Sequence, residues 1–253
     1  MIEIKAKAEQ EADILIYGDI GEPYWSDDTV TAKKFATDLK EIGNVSKLNI
    51  FINSGGGNIF DAQAILSMLK RHNAEKTVYI DGLAASAASV IAMAGEKIVM
   101  PSNAMMMIHR AWTGTMGNIH DFERTVETLK QVDGSISGVY ADKTGKDQEE
   151  ILGLMDNETW MTAAEAFDMG FADEIEKESK VAASIVGSKL IVNGLTFDLA
   201  NYKNQPQLEI QDEANPPEET DPELTPNDSG EETRPVAEID DYSQLRKKII
   251  TNY

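Results

Sequence analysis

Short apolar runs alternate with segments of helical period from residue 13 to residue 175. The run DILIY (13–17) predicts a first strand. Val30, Phe35, Leu39 and Ile42 then follow a loose helical period. Ser26 is placed to cap that helix, with Asp27 and Asp28 opening it, since carboxylates suit a helix N-terminus, and Gly43 is placed to stop it. LNIFIN (48–53) predicts a short buried strand. After Ser54-Gly55-Gly56-Gly57, the stretch NIFDAQAILSMLKRH gathers Ile59, Ala62, Ile65, Leu66 and Leu69 on one side of a helix. TVYID (77–81) predicts a strand, and GLAASAASVIAMAG a turn leading into a buried helix of small residues. KIVM (97–100) and AMMMIH (104–109) predict two more short strands.

The clearest helix covers 119–141, where Ile119, Phe122, Val126, Leu129, Val132, Ile136, Val139 and Tyr140 recur mostly at spacings of three and four. Thr162-x-x-Glu165 forms a capping box for a shorter helix that Gly170 ends, and FADEI (171–175) predicts a last strand. Strand–helix alternation of this kind predicts an α/β domain with a largely parallel sheet covered by helices.

Beyond residue 180 the character changes. KLIVNGLTFDL predicts a small β-hairpin with Asn193-Gly194 at its turn. Residues 204–241 hold six of the eight prolines, no aromatic residue, and 13 acidic side chains against one basic, Arg234. Such a segment buries too little apolar area to offset its ordering entropy and is expected to be disordered. The chain then closes on a basic-apolar end, YSQLRKKIITNY. The domain partition is therefore a folded domain over 1–180, a hairpin extension over 181–203 and an acidic, Pro-rich tail over 204–253. No period of the length that marks repeat proteins is visible.

Charge and composition narrow the function. The 253 residues carry a formal net charge of −21, which argues against a nucleic-acid binder, because that task needs a basic face. There is no cysteine, so disulfides, thiolate metal sites and a cysteine nucleophile are excluded. The longest apolar stretch, Ala84 to Ala94, is shorter than the roughly 20 residues that span a bilayer. The charged N-terminus, MIEIKAKAEQE, lacks a signal-peptide core, so a soluble, cytoplasmic protein is expected.

Histidine is the usual base of a nucleophilic hydrolase, and the chain has three: His72, His109 and His120. His72 and His120 fall at helix ends and read as solvated. His109 ends an apolar strand beside a loop, where α/β sites tend to form. Ser86 lies just after the strand TVYID, at a strand-to-helix turn whose small neighbours admit a substrate backbone. The helix start supplies free N–H groups for a developing oxyanion. Ser86 and Ser89 also fit a reading as packing residues of an Ala-rich helix, and the G-x-S-x-G elbow is absent. Gly55, Gly56 and Gly57 permit positive φ and close backbone approach. No Walker Lys-Ser/Thr follows them, which leaves an oxyanion hole, a peptide-binding edge or a plain turn. Asp156 and Glu158, in MDNETW, are the carboxylates that stand before the capped helix.

The ordered series INSGGGN, DGLAAS, MMMIHR and ETWMTAAEAFDMGFAD resembles the ClpP family of serine peptidases from about residue 13 to 176. The resemblance implies the ClpP/crotonase-type fold, a repeated β-β-α spiral. It implies Ser86 as nucleophile, His109 as base, and Gly57 and Ala87 as oxyanion donors, with Gly55 and Gly56 on the substrate-binding edge. The family's acidic member is usually aspartate; Glu158 stands at that place, and Asp156 is its competitor. The helix over 119–141 resembles the family's handle helix, so a ring-forming homo-oligomer, single or stacked, is implied, with no metal or other cofactor. IYGDIG, SGGG, His109-Arg110-Ala111-Trp112 and ETW are similar to ClpP-like proteases of tailed bacteriophages and prophages. That likeness implies head maturation in the procapsid, with capsid or scaffold precursors as substrates and the acidic tail as a scaffold-like, self-processed or passive segment. The alternatives are a housekeeping-like ClpP working with a ClpX-type ATPase, and an inactive ring-forming scaffold. A crotonase-type acyl-CoA enzyme shares the fold but has no use for a Ser/His pair.

Overall fold

The computed structural model describes residues 2–8, 10–22, 29–177, 183–186, 188–192, 195–200, 202 and 204. Strand β1 (Ile2–Ala8) pairs antiparallel with β2 (Glu11–Tyr17), which buries Ala12, Ile14 and Ile16. The β1 sequence, IEIKAKA, alternates apolar or small residues with charged ones at period two, a strand signal that the apolar runs alone do not show. A short parallel pair comes next, β3 (Asp19–Ile20) with β4 (Thr29–Val30).

Helix α1 (Ala32–Ile42) starts later than Asp27, because Thr29 and Val30 are extended and Thr31 is the cap. The Thr31 side chain accepts from the Lys34 N–H at 3.2 Å, and Asp61 Oδ1 accepts from the Ala32 N–H at 2.6 Å. Ser26 to Asp28 lie outside the described residues. The stop falls where expected, at Gly43 with φ 64, a value that suits glycine.

The parallel strands β5 (Lys47–Ser54), β6 (Glu75–Ala85) and β7 (Lys97–Pro101) and the exposed edge strand β10 (Glu174–Glu176) follow, in the sheet order β1-β2-β5-β6-β7-β10. Helix α2 (Ile59–Arg71), capped by Asn58, buries Ala62, Ile65, Leu66 and Leu69, the side read from its period. Helix α3 (Ala87–Ala92) is short and wholly buried. Such a helix needs small side chains, and four of its six residues are Ala or Ser.

One irregularity in β6 positions the whole site. Ile52 of β5 faces Ile80, but Ser54 faces Ala84, so β6 holds two extra residues there. The Tyr17 hydroxyl donates to the Asp81 carboxylate at this bend. A bulge bends a strand and re-aims the side chains beyond it. Before it, Thr77–Tyr79 pair with β7; after it, Leu83–Ala85 pair with β8 (Met105–Ile108). Strand β8 pairs in turn with the antiparallel β9 (Thr159–Thr162).

Helix α4 (Ile119–Thr144) has a full capping box at Asn118 and Asp121 and ends at Gly145 in the left-handed conformation. Its C-terminal half buries Ile136 and Tyr140, whereas its N-terminal half leaves Ile119, Phe122 and Val126 48–68% exposed. Helix α5 (Gln148–Asp156) and strand β9 were not foreseen; each is short, and neither shows a distinct period. Helix α6 (Ala163–Asp168) has the expected capping box at Thr162 and Glu165.

The expected hairpin is two strands of a three-stranded antiparallel sheet: β11 (Ala183–Val186), β12 (Lys189–Val192) and β13 (Leu195–Asp198). Asn193-Gly194 and residues 205–253, with the tail and its basic end, lie outside the described residues.

Phe35 is the largest side chain that α1 buries, at 0% exposure. Phe35→Ala is expected to lower stability by about 3–5 kcal/mol, read as a lower urea midpoint at unchanged slope.

Candidate active site

Ser86 stands at the junction of β6 and α3 with φ 54 and ψ −126. A side-chain-bearing residue held there stores roughly 1–3 kcal/mol of strain and persists only where its surroundings over-determine it. They do so here. The Ser86 N–H donates to the Met107 carbonyl at 2.9 Å. Its carbonyl accepts from the Ser89 N–H at 3.1 Å and the Ser89 hydroxyl at 2.6 Å. Ser89 Oγ also lies 2.8 Å from the Tyr140 hydroxyl, so Ser89 is a buried anchor of the turn.

His109 directly follows β8, the strand that pairs with the bent end of β6. The shared register brings its Nε2 to 2.7 Å from Ser86 Oγ. Burial pushes the His109 pKa below the usual histidine value, and the negative charges of Glu158 and Asp133 partly oppose that. The other histidines are elsewhere. His72 caps α2 and meets the Gly43 carbonyl at 3.3 Å; His120 is exposed beside Glu123.

The glycine loop lies against the Ser86 turn. Gly56 and Gly57 have φ 99 and 140. A Cβ on Gly56 would stand 2.7 Å from Ser86 Cβ and the Ala85 carbonyl oxygen, and one on Gly57 would stand 2.2 Å from the Ile20 carbonyl oxygen. Ile20 clamps the loop: its N–H donates to the Gly56 carbonyl at 2.8 Å, and its carbonyl accepts from the Asn58 N–H at 2.7 Å. The Gly56 N–H is taken by Ser54 Oγ at 3.1 Å. The Gly57 N–H has no backbone acceptor among the described residues. Ala87 opens α3, so its N–H has no acceptor within that helix.

The two candidate carboxylates part company. Asp156 ends α5 and receives both Arg110 Nε at 2.8 Å and a terminal guanidinium nitrogen at 2.7 Å. Glu158, two residues on at φ 50, is buried, and its Oε1 accepts from the Asn204 N–H at 3.0 Å. No hydrogen bond joins Glu158 to His109 among the described residues. Catalytic hydrogen bonds are often loose without substrate.

Three residues near the site were missed from sequence. Asp133, on α4, accepts from the Ala111 N–H at 2.8 Å and pairs with Arg110, fixing the chain after His109. Tyr202 packs its ring 5.8 Å from that of His109, and Asn204 holds Glu158. Asp133 interrupts the apolar period of 119–141 and carried a faint signal; Tyr202 and Asn204 carried none.

A strained serine at a strand-to-helix turn, within hydrogen-bond reach of a desolvated histidine and beside a glycine loop, defines the serine-hydrolase class of site. The family model for Clp protease matches residues 2–179. An ATP-dependent Clp protease proteolytic subunit of Bacteroides fragilis is 29% identical over 154 residues, covering 58% of this chain and 74% of the relative. The subunit so named from Ligilactobacillus salivarius is 34% identical over 134 residues, covering 52% and 68%. A solved ClpP1 point mutant from Listeria monocytogenes superposes with TM-score 0.57 at 27% identity, over 66% of this chain and 91% of that one. The chain belongs to the Clp protease family and is a ClpP-like serine endopeptidase with the mixed α/β fold of that family. Among the described residues, no helix is long and apolar enough to cross a membrane.

The depressed His109 pKa has a kinetic consequence. A base works when neutral, so the acid limb of serine reactivity should lie below the ordinary value of about 6.5. Glu158→Gln removes a charge that raises His109, so the limb should move to still lower pH in a pH–rate profile.

Proposed function

We propose that the chain hydrolyses peptide bonds with Ser86 as nucleophile, His109 as base and Glu158 as the carboxylate that steadies the imidazolium. The observation that carries this reading is the 2.7 Å contact between Ser86 Oγ and His109 Nε2 on the strained turn. His109 takes the Oγ proton as Oγ attacks the carbonyl carbon. The N–H groups of Gly57 and Ala87 receive the oxyanion, while Gly55 and Gly56, expected on the substrate-binding edge, meet Phe197 and the Ser86 turn instead. His109 then protonates the leaving amine, which leaves an acyl-enzyme. Water, deprotonated by His109, attacks it and releases the acid and free Ser86. The engagement of Asp156 by Arg110 supports Glu158 as the third member.

The protein works as a ring-forming homo-oligomer in this proposal. The exposed apolar stripe of Ile119, Phe122 and Val126 on α4 supports that, since such a stripe is stabilised by a partner. The cellular setting has two readings. The relatives are named as proteolytic subunits of ATP-dependent proteases, which supports work with a ClpX-type ATPase. The acidic segment beyond the family-matched region, and the wording around Ser54-Gly55-Gly56-Gly57 and His109-Arg110-Ala111-Trp112, support processing of capsid or scaffold precursors. Coexpression with such an ATPase and a degradation assay separates them: ATP-dependent degradation marks the first, ATP-independent cleavage of a capsid or scaffold precursor the second.

The test of the chemistry is fluorophosphonate labelling read by peptide mass spectrometry. Label is expected on Ser86 alone and lost in Ser86→Ala, while Ser89→Ala keeps it. Glu158→Gln should label on the order of 10²- to 10⁴-fold more slowly, and Asp156→Asn at near the wild-type rate. A folded oligomer that takes no label points to the inactive scaffold, and label on Ser89 moves the nucleophile.

A further inference from the structure

The family-matched region ends at residue 179, yet the site receives side chains from beyond it. The β11–β13 sheet packs Leu190 and Val192, with Leu199, against Leu83, Ala85, Met105 and Met107. Those last four sit on β6 and β8, the strands that end at Ser86 and His109. Asn53 Nδ2 donates to the Val192 carbonyl at 3.4 Å. Phe197 lies over Gly55, where an added Cβ would come within 2.7 Å of its ring. The Leu199 N–H bonds the Ser188 carbonyl at 2.6 Å, and the Tyr202 N–H bonds the Leu199 carbonyl at 3.0 Å, which turns the chain back toward the site. Tyr202 then sets its ring 5.8 Å from His109 and 5.7 Å from Trp160, edge-on to the latter. Asn204 donates its N–H to Glu158 Oε1 and its side-chain amide to the Asn157 carbonyl.

We propose that Tyr202 and Asn204 are positioning residues for His109 and Glu158, so that the extension after residue 180 completes the active site. The proposal rests on the triad reading above. A carboxylate buried to 8% exposure needs donors, and a backbone N–H bonded to it is a charge-assisted contact. Asn204 supplies that contact and grips both sides of the turn at Asn157 and Glu158, whose left-handed backbone has to be held. Tyr202 closes one side of the imidazole, limits its rotation and excludes water from it. The groups facing His109 are Ser86 Oγ from the β6–α3 turn, Glu158 from the α5–β9 turn, Asp133 from α4 and the Tyr202 phenol from the extension. Arg110, the nearest cation in sequence, is paired with Asp133 and Asp156. The phenol is itself held protonated, because burial and the charges of Glu158 and Asp19 push its pKa up. Tyr202 therefore acts on His109 by shielding and not by charge.

The test uses the full chain and reads fluorophosphonate labelling rate against pH, with kcat and KM on a peptide. Tyr202→Phe keeps the ring and should keep the wild-type profile. Tyr202→Ala opens the imidazole to water, so labelling should slow by about 10- to 100-fold, with the acid limb moved up toward the ordinary histidine value. Asn204→Ala keeps the N–H on Glu158 but loses the side-chain grip on Asn157, so it should lower kcat less than Asn204→Pro, which removes the N–H and should lower kcat with KM held. Asn204→Pro lies past the extension's sheet and serves if Tyr202→Ala fails to fold. Wild-type rates and limbs in both Tyr202→Ala and Asn204→Pro would overturn the proposal. Faster labelling in either would overturn it too, because the extension would then cover the site instead of serving it. A wild type that takes no label at Ser86 defeats the triad reading itself, and the proposal with it.

Discussion

The approach of Gly56 to the Ser86 turn is the constraint on which the rest of the site depends. A Cβ on Gly56 would fall within 2.7 Å of Ser86 Cβ, so the two backbones meet where no side chain fits between them. That contact forces glycine on one partner and a left-handed residue on the other. It also brings the loop against the start of α3, where a Cβ on Gly56 would stand 2.9 Å from the Ala87 nitrogen. The two extra residues in β6 make the contact possible, because they carry the strand from β7 across to β8. His109 then comes from β8 by simple register.

Electrostatics obey the same packing. Desolvation of the buried imidazole outweighs the carboxylates near it and holds its pKa below the ordinary histidine value. A neutral Nε2 accepts the serine proton; a charged one cannot. Asp133 ties Arg110 and Ala111 to α4, so the chain after His109 is anchored to the same long helix whose outer half is left apolar and exposed.

Much of this was legible in the sequence, and the gaps have physical reasons. The core helices announced themselves by period, and α6 by its capping box. The start of helix α1 differs from the expected Asp27 because Ser26 is the better cap by type, whereas the extended backbone at Thr29 and Val30 moves the cap to Thr31. Residue order along the chain singles out Ser86 and His109 as candidates, but the strain at Ser86 is not legible, since a run of Ala and Ser reads the same whether straight or bent. The three glycines were visible as a turn, while the atoms that require them, from Ile20 and Ala85, are remote in sequence. Asp156 and Glu158 could not be separated by spacing. A helix end and a reversal of φ send one to Arg110 and bury the other. Tyr202 comes after a weak hairpin signal, and nothing local says which ring it meets.

In the proposed chemistry, the turn at Ser86 and the loop at Gly57 together hold a reactive oxygen and the hole for its oxyanion. The most direct measurement is a crystal structure of the full chain treated with a peptide boronate. A covalent bond to Ser86 Oγ is expected, with a boronate oxygen within hydrogen-bond distance of the Gly57 and Ala87 N–H groups and His109 at the other oxygen. A boronate bound to Ser86 with no oxygen facing those N–H groups, or one that leaves Ser86 unmodified in a folded oligomer, would contradict it.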